Sequence, residues 1–323
     1  MGVGHLHYQT AHSRRPNPLT VSPEKQPGIV IRYQSGIYSI QTAEKVITCV
    51  LRGKLKRRTV RGDVISIGDQ VEITVLSDGS GVIEAILPRR SELVRMDPTP
   101  KGEYRQILLA NPDQIVAVFA CASPEPHLRM LDRFLVVAEK QRLQALIIAN
   151  KVDLTGLRVA KKIFSLYEPL GYRVIYTSVV EERGIDELRD ALTNRISALA
   201  GPSGVGKSSL MNRVQPDLGL RVQEISGHKD RGRHTTVVRE LFPLTGGGFV
   251  ADLPGLRKLS LWDTQPEELD GYFPELRELV KHCQFNDCSH NEEPGCAVIQ
   301  AVEAGRVSVE RYDSYLRMRA GDD

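Results

Sequence analysis

Eight consecutive residues, Gly201-Pro202-Ser203-Gly204-Val205-Gly206-Lys207-Ser208, carry the spacing G-x-x-x-x-G-K-[ST]. Glycines at these positions let backbone N–H groups turn inward around phosphate oxygens, and a helix that starts at the end of such a loop adds its positive end. An ammonium at Lys207 reaches terminal phosphates, and a hydroxyl at Ser208 ligates Mg²⁺, with Ser209 to Arg213 reading as the start of the helix. A second set, Asn150-Lys151-Val152-Asp153, has the form N-K-x-D. A carboxylate at Asp153 accepts from both the N1–H and the N2 amino group of guanine, a donor pair that adenine lacks. A site built this way rejects the wrong base by about 10⁴ to 10⁵. Lys151 can lay its stem along the base plane, Asn150 can tie this loop to the phosphate loop, and the Ser178 backbone N–H is the expected donor to guanine O6.

Two further polar stretches complete a nucleotide-hydrolysing set. Gly227 to Thr236 has no hydrophobic period and reads as a long loop, in which Thr235 or Thr236 would ligate Mg²⁺ and sense a γ-phosphate. Asp252-Leu253-Pro254-Gly255 is a D-x-x-G motif: Asp252 would hold Mg²⁺ through water, and the Gly255 N–H would contact the γ-phosphate. Leu256 stands where many GTPases carry a water-orienting glutamine, which implies slow intrinsic turnover. His234 is a candidate to supply the missing function when a partner orders its loop; contact with RNA or solvent is the alternative. Unchanged partner-stimulated turnover in His234→Ala would remove the catalytic role.

Cys283-x₄-Cys288-x-His290-x₅-Cys296 offers three thiolates and one imidazole, a closed tetrahedral zinc set that is structural because no position is left open. Cys49 and Cys121 fall in strand patterns and read as core residues. Five cysteines without a secretory signal argue for a reducing compartment rather than a disulfide framework.

The elements that position these groups are read from periodicity. At 323 residues two or three domains are expected. Residues 1–27 read as a disordered tail. Between residues 28 and 95, Ile29–Ile31, Tyr38–Ile40, Val46–Val50, Val71–Val75 and Gly81–Ile86 read as short alternating strands of an OB-fold barrel. Arg52 to Arg58 and Arg61 form the densest basic cluster, either a nucleic-acid contact or a solvated hairpin, with Tyr33 and Tyr38 as the stacking candidates. Residues 96–265 alternate apolar strands (Ile115–Ala120, Ala145–Ala149, Arg173–Tyr176, Ile196–Ala200) with helices, as in a doubly wound α/β sheet that binds ligands at its strand ends. The guanine motif precedes the phosphate loop by about fifty residues, the reverse of the ordinary order, so the GTPase domain must be circularly permuted. Residues 266–323 read as a helical zinc-binding domain, whose last helix carries Arg311, Arg317 and Arg319 beside Tyr312 and Tyr315, either an RNA face or a solvated surface. Net charge is +3, and no apolar run is long enough to span a membrane.

Barrel, permuted GTPase and cysteine–histidine cluster, in that order, resemble the RsgA (YjeQ/YloQ) family of bacterial small-ribosomal-subunit biogenesis GTPases over residues 28 to 320. The resemblance implies GTP hydrolysis stimulated by the 30S subunit during its late maturation and coupled to release. It also implies 16S rRNA contacts from the flanking domains, GTP/GDP and Mg²⁺ as ligands with Gly201 to Ser209 on the phosphates, and one structural Zn²⁺; a cytoplasmic location and a monomer are expected. Val179 departs from the family, which usually has alanine there. A permuted GTPase switch acting on another RNA or ribosomal partner is the alternative, and an ATPase with a nucleic-acid-binding barrel is a third that Asp153 argues against. The permutation also suggests that loss of γ-phosphate reorients the zinc domain; equal orientation with GDP and a non-hydrolysable analogue would exclude this.

Overall fold

A computed structural model describes residues 25–56, 65–99, 102–218, 220, 240–253 and 264–322. Strands β1 (Lys25–Gln34), β2 (Ile37–Gln41), β3 (Val46–Leu51), β4 (Gln70–Val75) and β5 (Gly81–Ile86) close into a barrel of order β1-β2-β3-β5-β4, with the short helix α1 (Gly53–Lys56) after β3. The strands are those the alternation predicts. In β3, Ile47, Cys49 and Leu51 point into the core while Val46, Thr48 and Val50 point out, because successive side chains on a strand face opposite ways. Tyr38 belongs to that core, stacked against Tyr33 with ring centroids 4.8 Å apart, so only Tyr33 is exposed enough to meet a base. Of the basic cluster, residues 57–64 lie outside the described residues.

A hairpin that the sequence pattern did not announce comes next: β6 (Glu92–Thr99) pairs with β7 (Gly102–Ala110), straddling the boundary expected at residues 95/96. The base of this hairpin is fastened to the barrel. Ala110 N donates to Ile67 O at 2.8 Å, Asn111 Nδ2 to Gly68 O at 3.0 Å, and Arg89 forks onto both oxygens of the fully buried Asp69 at 2.6 and 2.7 Å.

The chain then alternates β8 (Gln114–Ala120), α2 (Leu128–Lys140), β9 (Gln144–Asn150), α3 (Leu157–Phe164), β10 (Arg173–Thr177), α4 (Ile185–Leu192), β11 (Ile196–Ala200), α5 (Lys207–Val214), β12 (Leu241–Pro243) and β13 (Phe249–Asp252). The sheet order is β10-β9-β8-β11-β13-β12, parallel except for β12. From Ile115 to Ala120 strand β8 is apolar because both its faces are covered. Ile115, Ala117 and Phe119 pack toward α2 and α3, whereas Val116, Val118 and Ala120 pack toward α4 and α5.

The C-terminal unit contains α6 (Pro274–Arg277), α7 (Ala297–Glu303) and α8 (Val309–Ala320), preceded by a 3₁₀ segment, Pro266–Tyr272. Its core of Leu269, Phe273, Leu276, Val298, Ala301 and Tyr315 also takes in Val136 from α2. Here the expected surface face of the last helix is overturned: Tyr315 is fully buried, and Arg311 is 1% exposed. Arg311 donates to Asp132 of α2 at 2.8 Å and to Glu275 of α6 at 2.6 and 3.1 Å, and Tyr167 OH donates to the same Asp132 oxygen at 2.9 Å. Burial alone would lower the guanidinium pKa, but Asp132 and Glu275 outweigh it and raise it. Arg317 remains exposed, whereas Arg319 is half-buried and donates to Pro266 O. Among the described residues, no helix is long and apolar enough to cross a membrane.

Candidate nucleotide site and metal cluster

The polar motifs of the described chain converge at the carboxyl ends of parallel strands of one sheet, where α/β sheets hold ligands. Asn150 ends β9, Gly201 follows β11, and Asp252 ends β13 beside Leu199 in register. The phosphate loop runs from β11 into α5, whose first residue is Lys207. Two of its glycines are required. Gly201 has φ +136°, and a Cβ there would lie 2.1 Å from Val118 O; Gly206 has φ +93°, and its Cβ would lie 2.7 Å from Asn150 Nδ2. Lys207 Nζ donates to Gly201 O at 3.0 Å and Pro202 O at 2.8 Å, which holds the ammonium inside the curve of the loop.

The guanine and phosphate loops are fastened together by side chains. Asn150, fully buried, donates from Nδ2 to Val205 O at 2.8 Å, and its Oδ1 accepts from Thr177 Oγ1 at 2.9 Å. Lys151 adopts a left-handed backbone (φ +62°) and sends Nζ to Gly204 O at 2.7 Å and to Ser123 O. Burial lowers the Lys151 pKa, and Asp153 opposes that shift. The structure thus brings Asn150, Lys151, Asp153 and Gly201–Ser208 into one rim. Thr177 had no motif to mark it; its only signal was its place at the end of an apolar strand. Removing the Asn150 side chain would leave the Val205 carbonyl and Thr177 hydroxyl unpaired. Asn150→Ala is therefore expected to weaken GDP binding by about tenfold, the scale of one buried hydrogen-bond partner lost, as read by equilibrium titration.

Ser178 differs from expectation. Its backbone N–H donates to Arg183 O at 3.1 Å, inside a tight bridge. Its hydroxyl instead donates to Asp153 Oδ1 at 2.6 Å, which orients the carboxylate. His234, Thr235, Thr236 and Gly255 lie outside the described residues.

Cys283, Cys288, His290 and Cys296 place one ligand atom each within 4.8 Å of one another. His290 Nδ1 lies 3.5 Å from Cys283 Sγ and 3.4 Å from Cys296 Sγ. The adjacent His282 is not part of the group. Three thiols and an imidazole nitrogen, three of the four residues buried, fit a tetrahedral zinc ion. Cys296 also caps α7, its Sγ accepting from Ile299 N at 3.5 Å. Two residues of the surroundings escaped the sequence pattern: Asp270, 3.1 Å from His290 Nε2, and Glu293, whose carboxylate accepts from Ser289 N at 2.6 Å and Asn291 N at 3.0 Å. The Ser289 hydroxyl and these amides hold the Glu293 carboxyl down at about 2.

Comparison with known families decides between the hydrolase readings. The model described as "RsgA GTPase" matches residues 86–262, and "RsgA N-terminal domain" matches residues 27–83. The chain belongs to the RsgA GTPase family. As an RsgA-family member it is a GTP-hydrolysing enzyme. A relative from Gemmatimonas aurantiaca, named "Small ribosomal subunit biogenesis GTPase RsgA", is 44% identical over 90% of this chain and 96% of its own length. One of the same name from Moorella thermoacetica is 42% identical over 91% and 96%. The crystal structure of YjeQ from Thermotoga maritima superposes with a TM-score of 0.76 at 35% identity, covering 93% of this chain and 99% of that one. YloQ, described as a circularly permuted GTPase, superposes at 0.72 with 30% identity, covering 94% and 96%. The RsgA-type order of motifs, guanine loop before phosphate loop, is thus accommodated by the strand order seen here, with β11 inserted between β8 and β13.

Proposed function

We propose that this GTPase binds the small ribosomal subunit and its 16S rRNA, assists the subunit's late maturation, and is stimulated by it to hydrolyse GTP and leave. The observation that carries this is family membership along nearly the whole chain, with relatives that bear the name of that process. In the cytoplasm the protein would act as a monomer. Asp153, aimed by Ser178, reads the guanine edge, while Asn150 keeps that reader in register with the phosphate loop. Lys207 would exchange the Gly201 and Pro202 carbonyls for phosphate oxygens. Gly201 to Ser209 would cradle the phosphates, and Ser208, Thr235 or Thr236, and Asp252 would hold Mg²⁺, whose charge would offset that developing on the phosphate oxygens. Cys283, Cys288, His290 and Cys296 would hold one structural Zn²⁺ that shapes the C-terminal domain.

Co-sedimentation tests the partner. With a non-hydrolysable GTP analogue the chain is expected to pellet with isolated small subunits and not with large subunits, and to pellet less with GDP. Equal recovery with both subunits in every nucleotide state would contradict the assignment and favour a switch acting elsewhere.

A further inference from the structure

We propose that Asp270 is the positioning residue of the cysteine–histidine cluster and that, through it, the metal grips the segment leaving the second switch. This rests on the assignment of the four residues to zinc. A neutral imidazole has one donor and one acceptor nitrogen. At His290 the two are separated by their surroundings: Nδ1 faces the sulfurs of Cys283 and Cys296, and Nε2 faces Asp270 Oδ2 at 3.1 Å. A carboxylate only accepts, so Nε2 carries the hydrogen and Nδ1 presents its lone pair to the thiols. That is the tautomer a metal at the cluster needs, fixed by a partner outside the coordination shell.

The other contacts around His290 hold its main chain, not its second ring nitrogen. The residue sits at φ +60°, a conformation costly for a side chain with a Cβ, and its turn is clamped by hydrogen bonds. Tyr312 OH donates to His290 O at 2.5 Å, Tyr315 OH donates to Ser289 O at 3.1 Å, and Glu293 gathers the amides of Ser289, Asn291 and Glu292. Backbone and ring are therefore secured from two directions: α8 and Glu293 fix where the residue sits, and Asp270 fixes which nitrogen faces the sulfurs.

The source of Asp270 gives the contact its further meaning. It lies in Pro266–Tyr272, 18 residues beyond Asp252 of the D-x-x-G motif, at the entry to the C-terminal unit. Leu269 and Phe273 on either side are buried in the C-terminal core. A metal bound at His290 thus tightens, through Asp270, the anchorage of the chain that continues from the second switch.

The test uses the full-length zinc-loaded protein and the variants Asp270→Leu and Asp270→Asn. The Asp270 side chain is one-fifth exposed, so a change there need not disrupt the core. Zinc is withdrawn by a chromophoric chelator, and amide hydrogen exchange is followed in residues 264–273. Asp270→Leu is expected to hold zinc about 10- to 100-fold more weakly than wild type, the scale of losing such an outer partner. Asp270→Asn, which keeps an accepting oxygen, should retain most of the affinity. Stripping zinc should raise exchange in 264–273 in the wild type, while in Asp270→Leu exchange is already raised and insensitive to zinc. Wild-type affinity in Asp270→Leu would overturn the proposal, even if that variant melts at a lower temperature. A wild-type chain that binds no zinc at stoichiometric level would overturn the zinc assignment itself.

Discussion

Replacing Asp153 with asparagine is expected to lower affinity for GTP by about 10⁴ relative to wild type, because an acceptor pair for the guanine N1–H and N2 amino group becomes half donor. The size follows from how firmly the carboxylate is held. Ser178 Oγ donates to it at 2.6 Å, and the loop that carries it is locked to the phosphate loop through Asn150. An amide cannot rotate freely in that setting to recover both bonds. Its NH₂ group does match a base with a carbonyl in place of the amino group, so xanthosine triphosphate should bind Asp153→Asn better than GTP does. Competition of GTP, XTP and ATP against a fluorescent nucleotide measures this directly. A variant that keeps GTP affinity within about threefold would remove Asp153 from the base-reading role.

The second large effect lies far from the nucleotide. Arg311→Met is expected to destabilise the docked C-terminal unit by about 3–5 kcal/mol, the cost of stripping one partner from buried charges. Asp132 and Glu275 are 2% and 5% exposed at the side chain, so neither gains solvation when the guanidinium is removed. The triple variant Arg311→Met, Asp132→Leu, Glu275→Leu should recover most of that loss, since an apolar replacement for a whole buried ion group is often neutral or better. Urea unfolding followed by far-UV circular dichroism, comparing midpoints for the single and triple variants, decides it; a single variant within about 1 kcal/mol of wild type would mean the charges are not effectively buried. The ion group also constrains any coupling between the GTPase site and the C-terminal unit. Arg311 and Val136 hold that unit to α2, so any reorientation of the unit must either carry α2 along or expose three charges.

How much of this could be read beforehand depended on whether the signal was local. The phosphate loop, the N-K-x-D tetrapeptide and the alternation in β3 are patterns within a few residues, and each appears where its spacing puts it. The placement of both loops at strand ends followed from apolar runs such as Ile115–Ala120, which only a doubly covered strand explains. Arg311 was misplaced because a charged residue near the terminus reads as surface. Its partner Asp132 is 179 residues away, and no local pattern links the two. A faint signal existed: Arg311, Ser314 and Tyr315 fall at i, i+3 and i+4, one face of a helix, and all three are buried. The hairpin β6–β7 was missed because its pairing includes Pro98 and charged positions that dilute the alternation. For Ser178 no local pattern shows the bridge to Arg183, which engages its backbone amide and leaves its hydroxyl for Asp153.

The most direct test is the hydrolysis rate of purified protein with GTP, with and without isolated small ribosomal subunits, using ATP as the control. Slow turnover alone, strong acceleration by the small subunit and no turnover of ATP are the expected results. Turnover of GTP that is indifferent to the subunit would contradict the proposed role and leave a GTPase whose activating partner lies elsewhere.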